Sequence, residues 1–256
     1  MRGHHRSNFA ALITSGYLSM PGRSERTGTR RMAVEKGGLV PTSRPALPRG
    51  DLLQIVRRLS GSPLSELVNS RMETFKRNHD SVYEIWFSEL SFCILVAAST
   101  ARSGLRAQIR LGPRAFVSME EGRLQRALKS TGIRFHNRAR YIVRARKLGD
   151  FRPAVLSASS VHEARDWLVG NVSGIGYKEA SHFLRNVGFP DVAILDRHIV
   201  RTLFEAGYLP SPESPSGRDD YLRKEQAMLE LAEETSMAPG ELDLYLWYIK
   251  TGDIVK

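Results

Sequence analysis

A glycine-rich turn separates two helical patterns in the stretch Val172-Ser173-Gly174-Ile175-Gly176-Tyr177-Lys178-Glu179-Ala180. Glycine adopts positive φ angles without steric cost, so a Gly-x-Gly turn of this kind predicts a tight helical hairpin. Backbone amides of the turn, together with the start of the next helix, form a site for an anion such as a phosphate. An acid, Asp196, follows in Ala193-Ile194-Leu195-Asp196-Arg197-His198. Lys178 and Asp196 are therefore the first candidates for chemistry on a group held by the turn.

The residues on both sides of the turn carry the local signals of helices. Ser160-Val161-His162-Glu163 has the form of a capping box, with Ser160 as N-cap. Gly170 and Gly188 are the expected helix ends. Apolar residues recur at helical spacing, namely Ala164, Trp167 and Leu168 before the turn and Ala180, Phe183, Leu184 and Val187 after it. These signals predict a hairpin over residues 161–188. A hairpin whose glycines serve only the turn remains an alternative on this evidence.

The rest of the chain from about residue 50 indicates an all-α fold. No alternating pattern typical of a β-strand extends beyond a few residues. Pro63 is suited to the first turn of a helix, and Asp80 or Ser81 to the start of the next. Further helices are predicted over 120–130, 135–148, 195–206, 216–234 and 239–250.

Two longer strings closely resemble one known family. They are residues 174–186, which include Lys178-Glu179-Ala180-Ser181-His182-Phe183-Leu184-Arg185-Asn186, and residues 191–199, which include Asp196-Arg197-His198. Both are similar to the type 2 8-oxoguanine DNA glycosylase/lyases, a branch of the helix-hairpin-helix glycosylase superfamily. Residues 89–95 and 132–139 resemble helices of the same family. Members also have a tryptophan near the C-terminus and a lysine as the last residue, as this chain has in Trp247 and Lys256. The resemblance covers residues 50–256.

The resemblance implies a fold of two helical subdomains with a DNA-binding cleft between them. It also implies a bifunctional DNA N-glycosylase and AP lyase of base excision repair. Lys178 would attack the anomeric carbon of the damaged nucleotide, and the resulting Schiff base would allow β-elimination. Asp196 would stabilise positive charge on the sugar and help orient or deprotonate the amine. Two simpler roles stay open, namely a phosphate contact for Lys178 and a helix N-cap for Asp196.

The nucleophile and the damaged base each place a demand on the site. A lysine nucleophile must be neutral, and a helix N-terminus and partial burial both disfavour the cation. The base must leave the duplex, so a pocket with a stacking surface is needed. By resemblance, Trp247 and Phe135 are its candidate walls and Lys256 recognises 8-oxoguanine with its ammonium and carboxylate. His198 is a candidate support for Asp196, or a packing residue. Gly174 and Gly176 are the candidate phosphate-binding residues.

Charge points to a polyanionic partner. The net charge is +11 and the sequence pI is near 10.1. Residues 101–150 carry thirteen Lys/Arg against three Asp/Glu, and residues 1–50 carry nine against two. A solvated helix face is the ordinary explanation of such a charge run. The density within residues 101–150 instead favours a surface for the DNA backbone.

Cysteine and histidine usage limits the cofactors. Cys93 is the only cysteine, so a disulfide within the chain and a four-cysteine iron–sulfur cluster are both excluded. Cys93 lies in an apolar run and is predicted to be a buried core residue. The seven histidines show no zinc-ligand spacing, so no metal and no cofactor are expected.

Residues 1–49 lie outside the resemblance. They are rich in Arg, Gly, Ser and Pro and lack sustained periodicity, which predicts a disordered basic extension ahead of a core at 50–256. No stretch reaches the length of a membrane-spanning helix. We therefore expect a monomer in the cytoplasm, at the prokaryotic nucleoid, with double-stranded DNA containing 8-oxoguanine as its partner. A same-superfamily glycosylase for another lesion and a non-catalytic helix-hairpin-helix DNA-binding protein remain alternatives.

Overall fold

A computed structural model describes residues 48–256, and within this range the chain is helical without any strand. The helices are α1 (Arg49–Ser60), α2 (Leu64–His79), α3 (Tyr83–Val96), α4 (Ala101–Leu111), α5 (Pro113–Ser118), α6 (Glu121–Lys129), α7 (Asn137–Ala145), α8 (Arg152–Leu156), α9 (Val161–Asn171), α10 (Tyr177–Asn186), α11 (Arg197–Glu205), α12 (Arg218–Thr235) and α13 (Pro239–Thr251). A short 3₁₀ helix, Arg146–Leu148, extends α7. The prediction of an all-α fold is confirmed.

Most helices begin within three residues of their predicted starts. The helix predicted over 135–148 divides into α7 and the 3₁₀ helix. Helices α1, α4, α5 and α8 were not predicted. In α4, arginines and small residues dilute the apolar pattern. Gly112, with φ +70°, and Pro113 then separate α4 from α5. The first helix begins at Arg49, one residue before the predicted start of the core. Disorder was predicted for residues 1–49, of which Arg49 is helical and residues 1–47 lie outside the described residues.

Helix α3 is the centre of the first of two large hydrophobic cores. Every residue from Trp86 to Leu95 is buried, and a helix that is buried on all sides belongs in the middle of a core. Helices α4 to α10 surround it. Cys93 is completely buried in this core, as predicted, and burial raises the pKa of its thiol.

The second core combines the beginning and the end of the described chain. It contains buried residues of α1, α11, α12 and α13, together with Ala193 and Leu195 from the segment before α11. A smaller cluster that includes Phe75 of α2 and Tyr245 of α13 lies between these helices. Helix α10 therefore belongs to the first core, and α11 belongs to the second. No helix among residues 48–256 has the length and hydropathy needed to span a bilayer.

Candidate active site

The predicted hairpin is formed by α9, the turn and α10. Ser160 caps α9 by accepting a hydrogen bond from the Glu163 N–H at 3.1 Å, while the Glu163 carboxylate accepts one from the Ser159 N–H at 2.6 Å. Gly174 has φ +88°, and a Cβ atom at this position would lie 2.3 Å from the Tyr141 ring. Only glycine satisfies both the backbone conformation and this close approach. Gly170, predicted as a helix end, instead lies inside α9.

The second glycine of the turn differs from the expectation of a positive φ. Gly176 has φ −116° and is the extended N-cap residue of α10. Its N–H donates to Glu179 Oε2 at 3.0 Å, so this amide already has a partner. Within residues 48–256 the Gly174 N–H makes no hydrogen bond, while the Gly174 carbonyl accepts one from Arg138. Of the two predicted phosphate-binding amides, Gly174 is thus the one that remains available.

A large cavity lies where the starts of α10 and α11 meet α13 and the C-terminus. Its volume is about 1140 Å³, compared with about 300–1,000 Å³ for typical small-molecule pockets. The predicted site residues that line it are Gly176, Lys178, Asp196, His198, Trp247 and Lys256. Residues from both cores therefore converge on one space, although Lys178 and Lys256 are far apart in the sequence.

Lys178 opens α10 and is ion-paired. Its Nζ lies 2.8 Å from Glu179 Oε1, and its side chain is 29% exposed. Burial acts to raise the pKa of Glu179, but the Lys178 ammonium and the Gly176 N–H outweigh it and lower that pKa. The contact places a carboxylate against the candidate nucleophile, and any lysine ammonium must lose a proton before its nitrogen can attack.

Asp196 is the N-cap of α11. Its Oδ1 accepts hydrogen bonds from the N–H groups of His198 and Ile199, both at 2.8 Å. Oδ2 accepts none within residues 48–256 and is therefore available to stabilise charge in the cavity. The predicted capping role is confirmed, and it leaves one carboxylate oxygen for chemistry.

The imidazole of His198 packs on the candidate base wall. The rings of His198 and Trp247 meet edge to face, with centroids 5.3 Å apart. His198 touches Asp196 through its backbone N–H, so its side chain supports the position of Trp247. Phe135, the other predicted wall, does not line this cavity. It is 56% exposed and lines a separate pocket of about 310 Å³, between α6 and α7.

The terminal lysine turns back into the protein. Gly252 ends α13 in the left-handed conformation, with φ +71°, and Ile254 and Val255 are buried beyond it, as predicted. Lys256 Nζ donates to Glu89 Oε1 and Oε2 at 2.6 and 2.8 Å and to Gln108 Oε1 at 2.7 Å. An ammonium group has three donors, so all of them are used. Burial lowers the pKa of this lysine, and Glu89 opposes that effect.

Two buried acids near the site were missed by the sequence analysis. Glu89 joins Lys256 to Asn186, whose Nδ2 donates to Glu89 Oε2 at 3.0 Å. Asp243 lines the cavity and pairs with the buried Arg185. Burial raises the pKa of Asp243 to about 6, while Arg185 opposes the rise. Each acid is the lone charge in an apolar run, a signal that could have identified both.

Tyr221 of α12 connects the two helices that carry the candidate catalytic residues. Its hydroxyl donates to the Ala193 carbonyl at 2.7 Å, accepts from the Leu195 N–H at 3.2 Å and lies 3.2 Å from Ser181 Oγ. Ser181 belongs to α10, whereas residues 193–195 lead directly to Asp196. The buried ion pair of Arg165 and Glu225 supports the same contact from α9 and α12.

The chain matches the family described as 8-oxoguanine DNA glycosylase over residues 68–237. A protein from Methanocaldococcus jannaschii, the 8-oxoguanine DNA glycosylase/AP lyase, is 42% identical over 206 residues, which cover 80% of this chain and 99% of that protein. The protein of that name from Thermoplasma volcanium is 45% identical over 197 residues, covering 75% of this chain and 93% of the other.

Solved structures show the same fold. The Methanocaldococcus jannaschii 8-oxoguanine glycosylase/lyase in complex with 15mer DNA containing 8-oxoguanine has a TM-score of 0.77 and 41% identity, over 80% of this chain and 99% of that one. The 8-oxoguanine DNA glycosylase of Thermotoga maritima has a TM-score of 0.76 and 38% identity, over 81% of this chain and 100% of that one. The chain therefore belongs to the 8-oxoguanine DNA glycosylase family and has the helix-hairpin-helix glycosylase fold.

Proposed function

We propose that this protein is a DNA repair enzyme that excises 8-oxoguanine and then cleaves the resulting abasic site. The observation that carries the proposal is the convergence of Lys178, Asp196 and Lys256 on one cavity. A protein that only grips phosphate needs neither a lysine and an acid facing a shared space nor a terminal residue whose side chain turns inward beside them. The relatives that bear this activity in their names match nearly their whole length.

Double-stranded DNA binds across the cleft between the two cores. The Gly174 N–H, which has no partner among residues 48–256, is suited to a backbone phosphate. Apart from Arg138 and Arg146, the cations of residues 101–150 are exposed, which supports a long-range electrostatic contact with the duplex. The enzyme acts as a monomer in the compartment that holds the DNA.

Base excision begins when the neutral amine of Lys178 attacks the anomeric carbon. The glycosidic bond breaks, and its electron pair leaves with the damaged base. Positive charge grows on the sugar as the bond breaks, and Asp196 Oδ2 stabilises it. The covalent adduct opens to a Schiff base, which permits β-elimination of the 3′ phosphate.

The terminal carboxylate of Lys256 recognises the oxidised base. The ammonium of this residue has no donor left, because Glu89 and Gln108 occupy all three. 8-Oxoguanine has a hydrogen on N7, whereas guanine has a lone pair there. A carboxylate therefore accepts a hydrogen bond from the damaged base and repels the normal one. Trp247 forms a wall beside the base.

Borohydride trapping on a duplex with 8-oxoguanine tests the proposal. The wild-type protein should form a covalent adduct, and Lys178→Gln should lose both the adduct and strand cleavage. Lys178→Arg keeps the positive charge that a phosphate contact would need, and it should be equally inactive. Lys76→Gln, at an exposed lysine of α2 outside the basic segment, is the control and should trap normally. Strand cleavage by Lys178→Arg would exclude a Schiff base on Lys178. If the wild-type protein formed adducts only with another lesion, 8-oxoguanine would not be its substrate.

A further inference from the structure

Glu179 holds two groups of the active site with one carboxylate. Oε1 lies 2.8 Å from Lys178 Nζ, and Oε2 accepts the Gly176 N–H at 3.0 Å. The side chain is only 12% exposed, so solvent screens this pair weakly. The second hydrogen bond fixes the carboxylate on the N-cap of α10. The contact of Oε1 with Lys178 Nζ then places a proton acceptor directly against the nucleophilic nitrogen.

Asp196 does not occupy an equivalent position. Its Oδ1 is used by two backbone N–H groups of α11, and no hydrogen bond or ion pair joins it to Lys178 within residues 48–256. The carboxylate in contact with the nucleophilic nitrogen is that of the next residue in the chain. The two acids of the site are thus separated in space, one beside the amine and one at the helix start across the cavity.

We propose that Glu179 is the general base that takes the proton from Lys178, while Asp196 serves only the charge on the sugar. This inference rests on the proposed lysine attack. The N–H bond of the ammonium breaks, an O–H bond forms on Glu179, and the freed electron pair of the nitrogen forms the bond to the anomeric carbon. The departing base can take the same proton back, which returns Glu179 to the carboxylate.

Filling the cavity with a nucleotide favours this transfer. Water leaves the space around the pair, and burial without water disfavours two separate charges more than two neutral groups. Proton transfer within the 2.8 Å contact converts the ion pair into a neutral amine and a neutral acid. Binding of the DNA therefore favours formation of the nucleophile.

Other ionisable groups also face this pair and could affect its pH dependence. They are His182 on α10, Cys93 on α3, Asp196, Arg197 and His198 at the start of α11, Asp243 on α13 and the terminal Lys256. Burial, reinforced by Arg185 and Lys178, holds the pKa of His182 well below its usual range, so this imidazole is neutral at physiological pH. The test therefore depends on changes in the pH dependence that appear in a Glu179 variant and not in a control variant.

The test compares Glu179→Gln with Glu163→Gln. Glu163 caps α9 as Glu179 caps α10, but it touches no lysine among residues 48–256. Both variants and the wild type are trapped with cyanoborohydride on a duplex with a pre-formed abasic site, between about pH 6.5 and 9, under single-turnover conditions. Glu179→Gln should slow trapping at neutral pH by about 100-fold, the lower range for general-base catalysis. Its rate should recover as the pH rises, because hydroxide and buffer replace the lost base, while Glu163→Gln follows the wild type.

Two results would overturn the proposal. An equal loss at every pH would make Glu179 a cap alone, and faster trapping than wild type would mean that Glu179 only restrains the lysine. Glu179→Asp keeps a carboxylate and should retain the pH dependence of the wild type; this variant decides the question if the glutamine variant does not fold. Absence of trapping by the wild type itself would refute the proposed function, and so is distinguishable from a failure of this inference.

Discussion

At the scale of single residues, chemical roles here depend on which atoms are already occupied. Asp196 uses one carboxylate oxygen as a helix cap, and the other has no hydrogen-bond partner in the described part of the chain. Lys256 uses all three donors of its ammonium to bind Glu89 and Gln108. For each residue, the contact within the protein and the proposed contact with the substrate use different atoms, so substitutions can separate the two.

Asp196→Asn should separate the cap from the charge. Asparagine is an equally good N-cap, so the melting temperature should change little. Excision of 8-oxoguanine should fall by about 10²–10³-fold, as for loss of one preorganised electrostatic group. Glu120→Gln at the N-cap of α6 is the matched control and should excise normally. A sharp fall in melting temperature with normal turnover of the folded fraction would show that Asp196 is purely structural.

Adding one glycine after Lys256 should separate the terminal carboxylate from the ammonium. The contact with Glu89 can persist, while the carboxylate moves one residue away. Excision of 8-oxoguanine should fall by about 10–100-fold, which corresponds to one polar base contact of about 1–3 kcal/mol. Cleavage of a pre-formed abasic site should stay at the wild-type rate, because no base needs to be recognised. Equal losses of activity on both substrates, or no loss on either, would show that the terminal carboxylate does not contact the base.

At the scale of helices, the distance between α10 and α11 decides whether Lys178 and Asp196 can act together. Each helix belongs to a different core, so a small shift between the cores would separate the two side chains. Tyr221 limits this shift by contacting Ser181 of α10 and the backbone of residues 193–195 with a single hydroxyl. A third helix, α12, thus sets the register of the other two.

Tyr221→Phe should therefore reduce excision without unfolding the protein. Loss of a net hydrogen-bond energy of about 1–1.5 kcal/mol corresponds to a roughly tenfold change. The same substitution should have no further effect in the Asp196→Asn background, because Tyr221 acts through the position of Asp196. Tyr245→Phe, an equally buried tyrosine on α13, is the control. The measurement is the single-turnover excision rate of the wild type, the two single variants and the double variant. Losses that add in the double variant would show that Tyr221 does not act through Asp196.

At the scale of the whole molecule, the two cores and the charge distribution serve the same substrate. The first core carries the basic helices and the candidate nucleophile, and the second carries Asp196 and the candidate base wall. Arg49, the first residue of α1, pairs with Glu230 and Glu234 of α12 and so belongs to the folded part. A truncation that tests the basic extension should therefore keep this residue.

Deletion of residues 1–47 should leave the single-turnover excision rate unchanged at saturating protein. The deletion removes eight Lys/Arg and two Asp/Glu. Non-specific DNA affinity should weaken, and its dependence on salt should become shallower, because fewer counterions are released on binding. A full-length protein with those eight cations replaced by glutamine should behave in the same way. Loss of excision after the deletion alone would show that this segment contributes to the folded enzyme.

Features set by neighbours along the chain were predictable. The hairpin, the capping role of Asp196 and the left-handed Gly252 each depend on contacts within a few residues, so sequence pattern is enough to identify them. The resemblance to a family added the assignment of Lys178 and Trp247 to one site. The details of the turn were less predictable, because the conformation of Gly176 depends on the Glu179 side chain that caps it.

Features set by contacts between distant segments required the folded structure. Lys256 meets Glu89 across 167 positions of sequence, and Arg185 meets Asp243 across 58. Phe135 has the type of side chain that suits a base wall, yet its place between α6 and α7 directs it to another pocket. No local propensity encodes these outcomes, because core packing decides where each helix lies. A buried charge then takes whichever partner that packing brings within hydrogen-bonding distance.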